Sequence, residues 1–479
     1  MTLAKTRERV IGERWPALLV VTIVELVVFL DISVVNVALP SIGSDLSLGE
    51  AELGWVVSAY LLTFGGFQLV GGRSADLLGR RRTFQVGLVA FTLASLVAGL
   101  APTGWMLIGA RALQGVGAAL LVPAQLSLLA AMFTEPKSYH RAFGVWSAMA
   151  AAGAAAGGAF GGAIIDSAGW PWTFLINVPL GLAALAASRR VLPTDPPRAR
   201  GLSRRLDLPG AALATLALLL VGYGIGSLAE AGAVAAMIIA VALLLLIGFV
   251  AVEQRASEPL LPLQLLLVRN VSASALANVW VGAAHVPAFV LLAMFFQGVW
   301  GYSALQAGLA VLPVAVVNII ASRVLVPPAM QCLGARRVVV VGMVLQAAAL
   351  AIFARMPVDG RYLVDVLPAA VVFALGLPTA MVGVTVPAIK SVSETETGIV
   401  GGVVNTAQRI GSGIGAAAVA VLVASTNSGS SVGPRDGLSA GFLAATAFAV
   451  IGALTAAIAM RDPAPAQGHS DRAVQQQEA

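Results

Sequence analysis

The sequence predicts an all-α polytopic membrane protein of fourteen transmembrane helices. Three observations predict it. Apolar residues make up 58% of the chain and charged residues only 11%; the apolar residues fall into runs of spanning length; and the basic residues crowd into alternate connections. A water-soluble domain carries about 25% charged residues, because its surface must be hydrated. Most of this surface therefore faces lipid, in keeping with a mean hydropathy of +0.90.

A span needs about 20 predominantly apolar residues, since lipid cannot satisfy exposed backbone groups. Residues 1–15 form a charged tail. The run that follows is too long for the apolar core of a cleavable signal and lacks a small-residue cleavage site, so it reads as the first span, ending at Pro40. Further runs fall at 51–71, 83–100, 105–132, 142–164 and 173–192, completing a first unit over 16–192. A polar stretch from Pro193 to Pro209, two runs at 210–229 and 232–252 and a second polar gap make up a middle unit, 193–270. The runs at 271–298, 304–327, 337–354, 363–388, 399–424 and 440–460 give a last unit, 271–460, before a tail at 461–479 whose polar composition predicts disorder.

An even number of spans puts both termini on one side, and positive charge decides which. The tails and even-numbered connections hold 24 of the 29 Lys and Arg; the odd-numbered ones hold Arg355, Arg361 and Arg435, and Arg111 and Arg409 lie within spans. Both termini are thus expected in the cytoplasm. The basic pI of about 10.0 reports loops on one membrane face, so nucleic acid is excluded as a partner. The single cysteine, Cys332, rules out an intramolecular disulfide.

The two large units share features. Gly79-Arg80-Arg81 opens the third span much as Gly334-Ala335-Arg336-Arg337 opens the eleventh, with Gly87 and Gly342 at matching distances beyond. Gly153 and Gly157 of the fifth span find counterparts in Gly411 and Gly415 of the thirteenth. Glycine and arginine are also common at helix ends, so a duplication is one of two readings.

Ionisable residues inside a span are costly and mark function by default. Away from the ends of the runs they are Glu25 and Asp31 in the first span, Arg111 in the fourth, His285 in the ninth and Arg409 in the thirteenth. At about 1.5 Å per residue, Glu25 lies roughly 14 Å beyond Pro16, near the middle of a core about 30 Å thick, and Asp31 roughly 22 Å in. Arg111, approached from the other face, lies at nearly the depth of Asp31, and an unpaired charge there is expensive, so the two are expected to pair. Their pairing either locks two helices or responds to protonation of Glu25 or Asp31, because apolar surroundings bring carboxyl protonation towards neutral pH. Glu25, with no depth-matched cation in view, is the stronger candidate for substrate contact. His285 precedes the helix-kinking Pro287 and reads as a hydrogen-bonded structural residue or a cavity residue. Arg409, beside Gln408 and after Asn405, either lines the cavity or snorkels to the cytoplasmic interface.

LDISVVNVALP (30–40, with Asp31, Asn36 and Pro40), GRSADLLGRRR (72–82), RALQGVGAALLVP (111–123, with Arg111 and Gln114), GAAAGGAFGG (153–162), WPWTFLINVP (170–179) and GYSALQAGLAVLP (301–313) follow one another in the chain. Together they resemble the motifs of the fourteen-helix drug:proton antiporters of the major facilitator superfamily. The resemblance implies two six-helix bundles flanking two inserted helices. It implies a cytoplasmic gate at Gly72, Asp76, Gly79, Arg80 and Arg81, in which Gly72 permits close helix approach, Gly79 turns the chain and the cluster clasps the second helix against the eleventh. It implies proton relay at Arg111 and a packing hinge at Gly153, Gly157, Gly161 and Gly162. One departure stands out: where the hinge motif has proline after its middle glycine, this chain has Gly158.

No HExxH or GxxxxGK[ST] pattern is present, so an intramembrane enzyme, a metal site and a nucleotide-driven pump are not expected. The expectation is proton-coupled efflux of a small lipophilic molecule, neutral or cationic, by alternating access, with the proton gradient in place of any cofactor. Proton-coupled uptake or exchange of a specific metabolite is the alternative. Three lysines against 26 arginines and abundant Ala and Gly suggest a high-GC bacterium. Its inner membrane is the expected location, and the transporter is expected to act as a monomer in the bilayer.

Overall fold

The computed structural model describes residues 2–133, 135–195, 208–255, 263–392, 397–427 and 434–461. The described residues form helices and turns. In order they are α1 (Thr2–Leu46), α2 (Glu50–Leu78), α3 (Arg80–Gly99), α4 (Gly104–Met132), α5 (Pro136–Ala168), α6 (Pro171–Leu175), α7 (Asn177–Val191), α8 (Leu208–Gly226) and α9 (Leu228–Arg255). After them come α10 (Leu263–Leu267), α11 (Arg269–Gly298), α12 (Ala304–Val324), α13 (Val326–Leu333), α14 (Ala335–Phe353), α15 (Leu367–Lys390), α16 (Thr397–Asn427) and α17 (Pro434–Ala459).

Local chemistry explains the boundaries. Gly79 and Gly334 take φ of +101° and +78°, the region that favours glycine, and each turns the chain into the next long helix. Thr103 caps α4 by accepting from Met106 N, and Ser303 with Gln306 forms a capping box at the start of α12. The sixth apolar run divides into α6 and α7 at Ile176, because Pro179 has no N–H to offer the Leu175 carbonyl.

Among the described residues twelve helical segments are long and apolar enough to cross a membrane: those of α1, α3–α5, α6 with α7, α9, α11, α12, α14 and α15–α17. α8 contributes the shorter apolar stretch Ala212–Ile225. α2 runs through the interior, with Tyr60 and Phe64 fully buried.

Two hydrophobic cores organise these helices, one drawn almost entirely from residues 17–192 and the other from residues 265–460. They repeat one packing plan. α1 packs on α5, α2 on α4 and α3 on α4; correspondingly α11 packs on α16, α12 on α15 and α14 on α15. Between halves α5 crosses α12 and α16 crosses α2, while α8 pairs with α9 and lies beside the α2–α16 seam. The matched glycines play matched parts: a Cβ at Gly87 would meet α4 backbone and side chains, and one at Gly342 would meet α15. Among the described residues, hydrogen bonds between halves gather at the end carrying the 47–49 and 299–303 turns, with Thr406 Oγ1 to Gln68 Oε1 at 3.5 Å as the exception. At that end Gln297 Nε2 donates to the Val37 carbonyl at 3.0 Å, and the Ala304 and Leu305 amides donate to Asp166 at 3.2 Å each.

Candidate functional site: a buried ion pair and two facing charges

Asp31, Arg111 and Gln114 meet at the centre of the first half. Arg111 donates through Nη1 to Asp31 Oδ2 at 2.6 Å and to Gln114 Oε1 at 2.8 Å, and through Nε to the Val56 carbonyl at 3.1 Å. Gln114 Nε2 donates to Asp31 Oδ1 at 3.2 Å and to Ser95 Oγ at 2.8 Å. Asn177 Nδ2 adds a donor to Asp31 Oδ1 at 2.9 Å. The Tyr60 ring lies 4.3 Å from the guanidinium carbon. Five helices, α1, α2, α3, α4 and α7, thus converge on one ion pair, and none of the residues involved is more than 1% exposed. Burying two charges is expensive unless their remaining hydrogen-bonding capacity is filled. Here Asp31 accepts from three donors and Arg111 donates to three acceptors.

Ser95, Asn177 and Tyr60 were not singled out from the sequence. Asn177 and Ser95 are two of several polar residues in largely apolar runs, so the sequence carries no signal that singles them out.

A second arrangement lies across the interface between halves. Glu25 is fully buried and neither carboxyl oxygen has a hydrogen-bond partner. Phe29, one helical turn along α1, shares its face. The Arg409 guanidinium of α16 lies over Phe29 at 5.3 Å and over Phe64 of α2 at 4.6 Å, within electrostatic range of Glu25. Glu25 thus has no cation in hydrogen-bond contact; the one in its neighbourhood, beside Phe29, comes from the opposite half, which depth alone does not reveal. Arg409 points between the halves and does not snorkel to an interface. His285 stands nearby on α11, half-buried, with Nδ1 3.1 Å from the Val281 carbonyl and its ring edge-on to Phe289. Asn36 is half-buried and Asn405 exposed.

Tyr60 and Phe64, one turn apart on α2, connect the two arrangements. Their rings meet edge to face at 5.8 Å, Tyr60 under Arg111 and Phe64 under Arg409. The Tyr60 hydroxyl is buried without a partner. Beyond them, towards the 47–49 turn, an apolar pocket between the halves is lined by Leu53, Val57, Pro287, Leu291, Ala416 and neighbours.

Residues 21–416 match the Major Facilitator Superfamily. The chain belongs to that superfamily. It is 37% identical over 91% of its length to a puromycin resistance protein of Streptomyces alboniger, covering 88% of that protein. It is 38% identical over 86% of its length to a cephamycin export protein of Amycolatopsis lactamdurans, covering 84% of it. Among solved structures, an auto-inhibited peptide transporter of the POT family superposes with a TM-score of 0.67 at 17% identity, over 94% of this chain and 98% of that one. That likeness bears on the fold alone. As a member of the superfamily the chain is a multi-pass membrane transporter of a small molecule, not an enzyme.

The remaining superfamily motifs can be placed. The Asp76 side chain lies outside the described residues. Close approach of α2 to α4 occurs at Gly71, where a Cβ would run into the Ala119 carbonyl; Gly72 has only ordinary contact with Pro123. In this conformation Arg81 bonds within its own half: its backbone N–H and that of Arg82 donate to the Asp195 carboxylate at 3.0 Å each, and its guanidinium donates to the Leu192 and Arg189 carbonyls. Arg80 is exposed beside them. Gly153, Gly157 and Gly161 lie against Leu26, Ser33 and Val34 of α1, while Gly162 lies against Ala304 and Leu305 of α12. Gly158 backs onto Gly308, so the position that departs from the motif is where α5 and α12 cross backbone to backbone.

Proposed function

We propose that this transporter exports small lipophilic drugs or antibiotics across a bacterial inner membrane in exchange for protons, as a monomer of fourteen spans with both termini in the cytoplasm. α2 and α8 supply the spans beyond the twelve that length and apolarity identify. The units are then a first bundle over 16–192, a central insertion over 193–270 and a second bundle over 271–460. No cofactor takes part; the proton gradient supplies the energy.

The observation that carries this reading is the chain of buried groups from Asp31–Arg111 through Tyr60 and Phe64 to Arg409 and Glu25. It joins a titratable pair inside one half to charges on the seam where the halves move. The named functions of the relatives, antibiotic resistance and export, support the direction of transport. With the termini inside, the inter-half contacts near Asp166 and Gln297 close the outer side and leave the seam poised to open inward. A proton taken up by Glu25 or Asp31 from outside neutralises a carboxylate, weakens its hold on the facing cation and lets the halves rock. Loss of that proton to the cytoplasm restores a carboxylate that can hold a neutral or cationic cargo. Asp76, Gly79, Arg80 and Arg81 would latch the inner side in the opposite conformation.

In everted vesicles, addition of cargo should collapse an imposed proton gradient, and Glu25→Gln should lose at least tenfold of that exchange, since a titratable group is replaced by one that is not. Cargo entry with protons into intact cells would overturn export in favour of uptake.

A further inference from the structure

Proton exchange through Asp31 and Glu25 does not by itself require a cation on the second half, yet Arg409 is held with some care. Two aromatic faces from the first half flank its guanidinium, a placement that suits the planar, weakly hydrated arginine head group better than a lysine. Its Nε has no hydrogen-bond partner. The facing Glu25 leaves both oxygens unpaired, so no direct hydrogen bond joins the two. Buried polar groups without partners are costly, and two unlike charges one helical turn apart across Phe29, each with unpartnered atoms, make a site for a third group.

We infer that Arg409 is the specificity-determining residue of the cavity and that the cargo carries an acidic oxygen group, a carboxylate or its equivalent, bound by the Arg409 fork. Guanidinium and carboxylate match in planar two-bond geometry. An amine or hydroxyl of the same molecule then donates to Glu25, and the apolar body extends into the pocket bounded by Val57, Pro287, Leu291 and Ala416. The other titratable groups around this position are Tyr60, whose unpartnered hydroxyl is free to donate, and His285 on α11. The cargo class is thus widened from neutral or cationic lipophiles to amphoteric ones. This inference deepens the exporter reading and rests on it for the word cargo, but not for the binding site.

The test is equilibrium binding to the purified full-length chain in detergent, which needs no proton gradient. Dansylglycine and dansylglycinamide share one apolar body and one sulfonamide N–H and differ in the carboxylate. The intact protein should bind the acid about tenfold more tightly than the amide, the effect of one charge-assisted bond. Arg409→Gln should bring the two within about twofold, mainly by weakening the acid, and Arg409→Lys should retain part of the preference. Glu25→Gln, which removes a like charge, should tighten the acid. Thermal unfolding of each variant reports folding, and Arg409→Lys stands in if Arg409→Gln does not fold. Equal binding of acid and amide by the intact protein, or a preference that survives Arg409→Gln, overturns the inference. An acid that binds with this preference yet never exchanges for protons in vesicles upholds the inference and refutes the exporter reading instead.

Discussion

α4 and α15 hold equivalent places in the two halves: each packs against the long helix that follows a glycine turn, α3 after Gly79 and α14 after Gly334. Yet α4 buries Arg111, Gln114 and Gln125, whereas every buried residue of α15 is Ala, Val, Leu, Phe, Pro or Gly. The glycine contacts that set helix spacing are duplicated; the charges are not. Packing geometry has to be alike on both sides of a pair of bundles that rock, because each half presents the same crossings to the other. Under the proposed proton exchange, charge coupling needs only one side to carry the exchanging groups and the other to respond. The first half therefore concentrates the ion pair and the second contributes Arg409 at the seam.

Breaking the ion pair is the most severe way to test this division. Arg111→Met leaves the Asp31 carboxylate buried without its cation and should cost about 3–5 kcal/mol. Gln346→Met, on α14 against α15, is the comparison in the second half; there Gln346 Nε2 donates to the Gly376 carbonyl at 3.2 Å and Oε1 has no partner. It should cost about 1 kcal/mol or less. Thermal unfolding of the purified protein measures both, and similar costs would end the claim that electrostatic weight sits on one side. Lysine at 111 should not rescue, because three acceptors are arranged for a guanidinium.

The duplicated packing is tested next. A Cβ at Gly308 would run into the Gly158 carbonyl, which cannot yield without moving a helix, whereas one at Gly413 would meet the Leu62 side chain. Gly308→Ala should cost about 1–3 kcal/mol and sharply reduce transport. Gly413→Ala should cost less because Leu62 can change rotamer, and Gly158→Ala, whose Cβ would sit 3.3 Å from the Gly308 Cα, should fall between them. Transport rates in proteoliposomes give the order, and Gly413→Ala as the most damaging would reverse the expected roles of the two seams.

Most of this plan was legible in the sequence, because membrane spans announce themselves by length and apolarity alone. The predicted run 105–132 became α4 at Gly104–Met132 and 271–298 became α11 at Arg269–Gly298. Helical rise brought Asp31 and Arg111 to one depth, and the structure joins them. Depth carries no azimuth, however. It could not show that Glu25 faces Arg409, that Asn177 turns towards Asp31, or that Gly158 points at Gly308 while its neighbour Gly157 points at Ser33. Those facts depend on which way each helix is rotated in the bundle, and rotation is set by partners remote in sequence. The break at Ile176 and the short α10 and α13 were missed because hydropathy does not register a single missing backbone donor or one turn of helix.

The mildest prediction concerns the starts of α2 and α12, which are also equivalent. α2 caps itself, the Gly49 amide donating to Glu52 at 3.0 Å. α12 has its own Ser303 and Gln306 cap and in addition takes Asp166 from the opposite half. A carboxylate at a helix N-terminus contributes about 0.3–1 kcal/mol when exposed, and Asp166 is exposed. Because this contact crosses the seam, its loss shifts the balance between conformations more than it affects folding. Asp166→Asn should raise the population open at that end by about two- to fivefold, read as spin-label distances between α5 and α12. Glu52→Gln, which disturbs a contact inside one turn, should leave those distances alone. If both variants shift them equally, the cap from the opposite half is not the feature that closes this end.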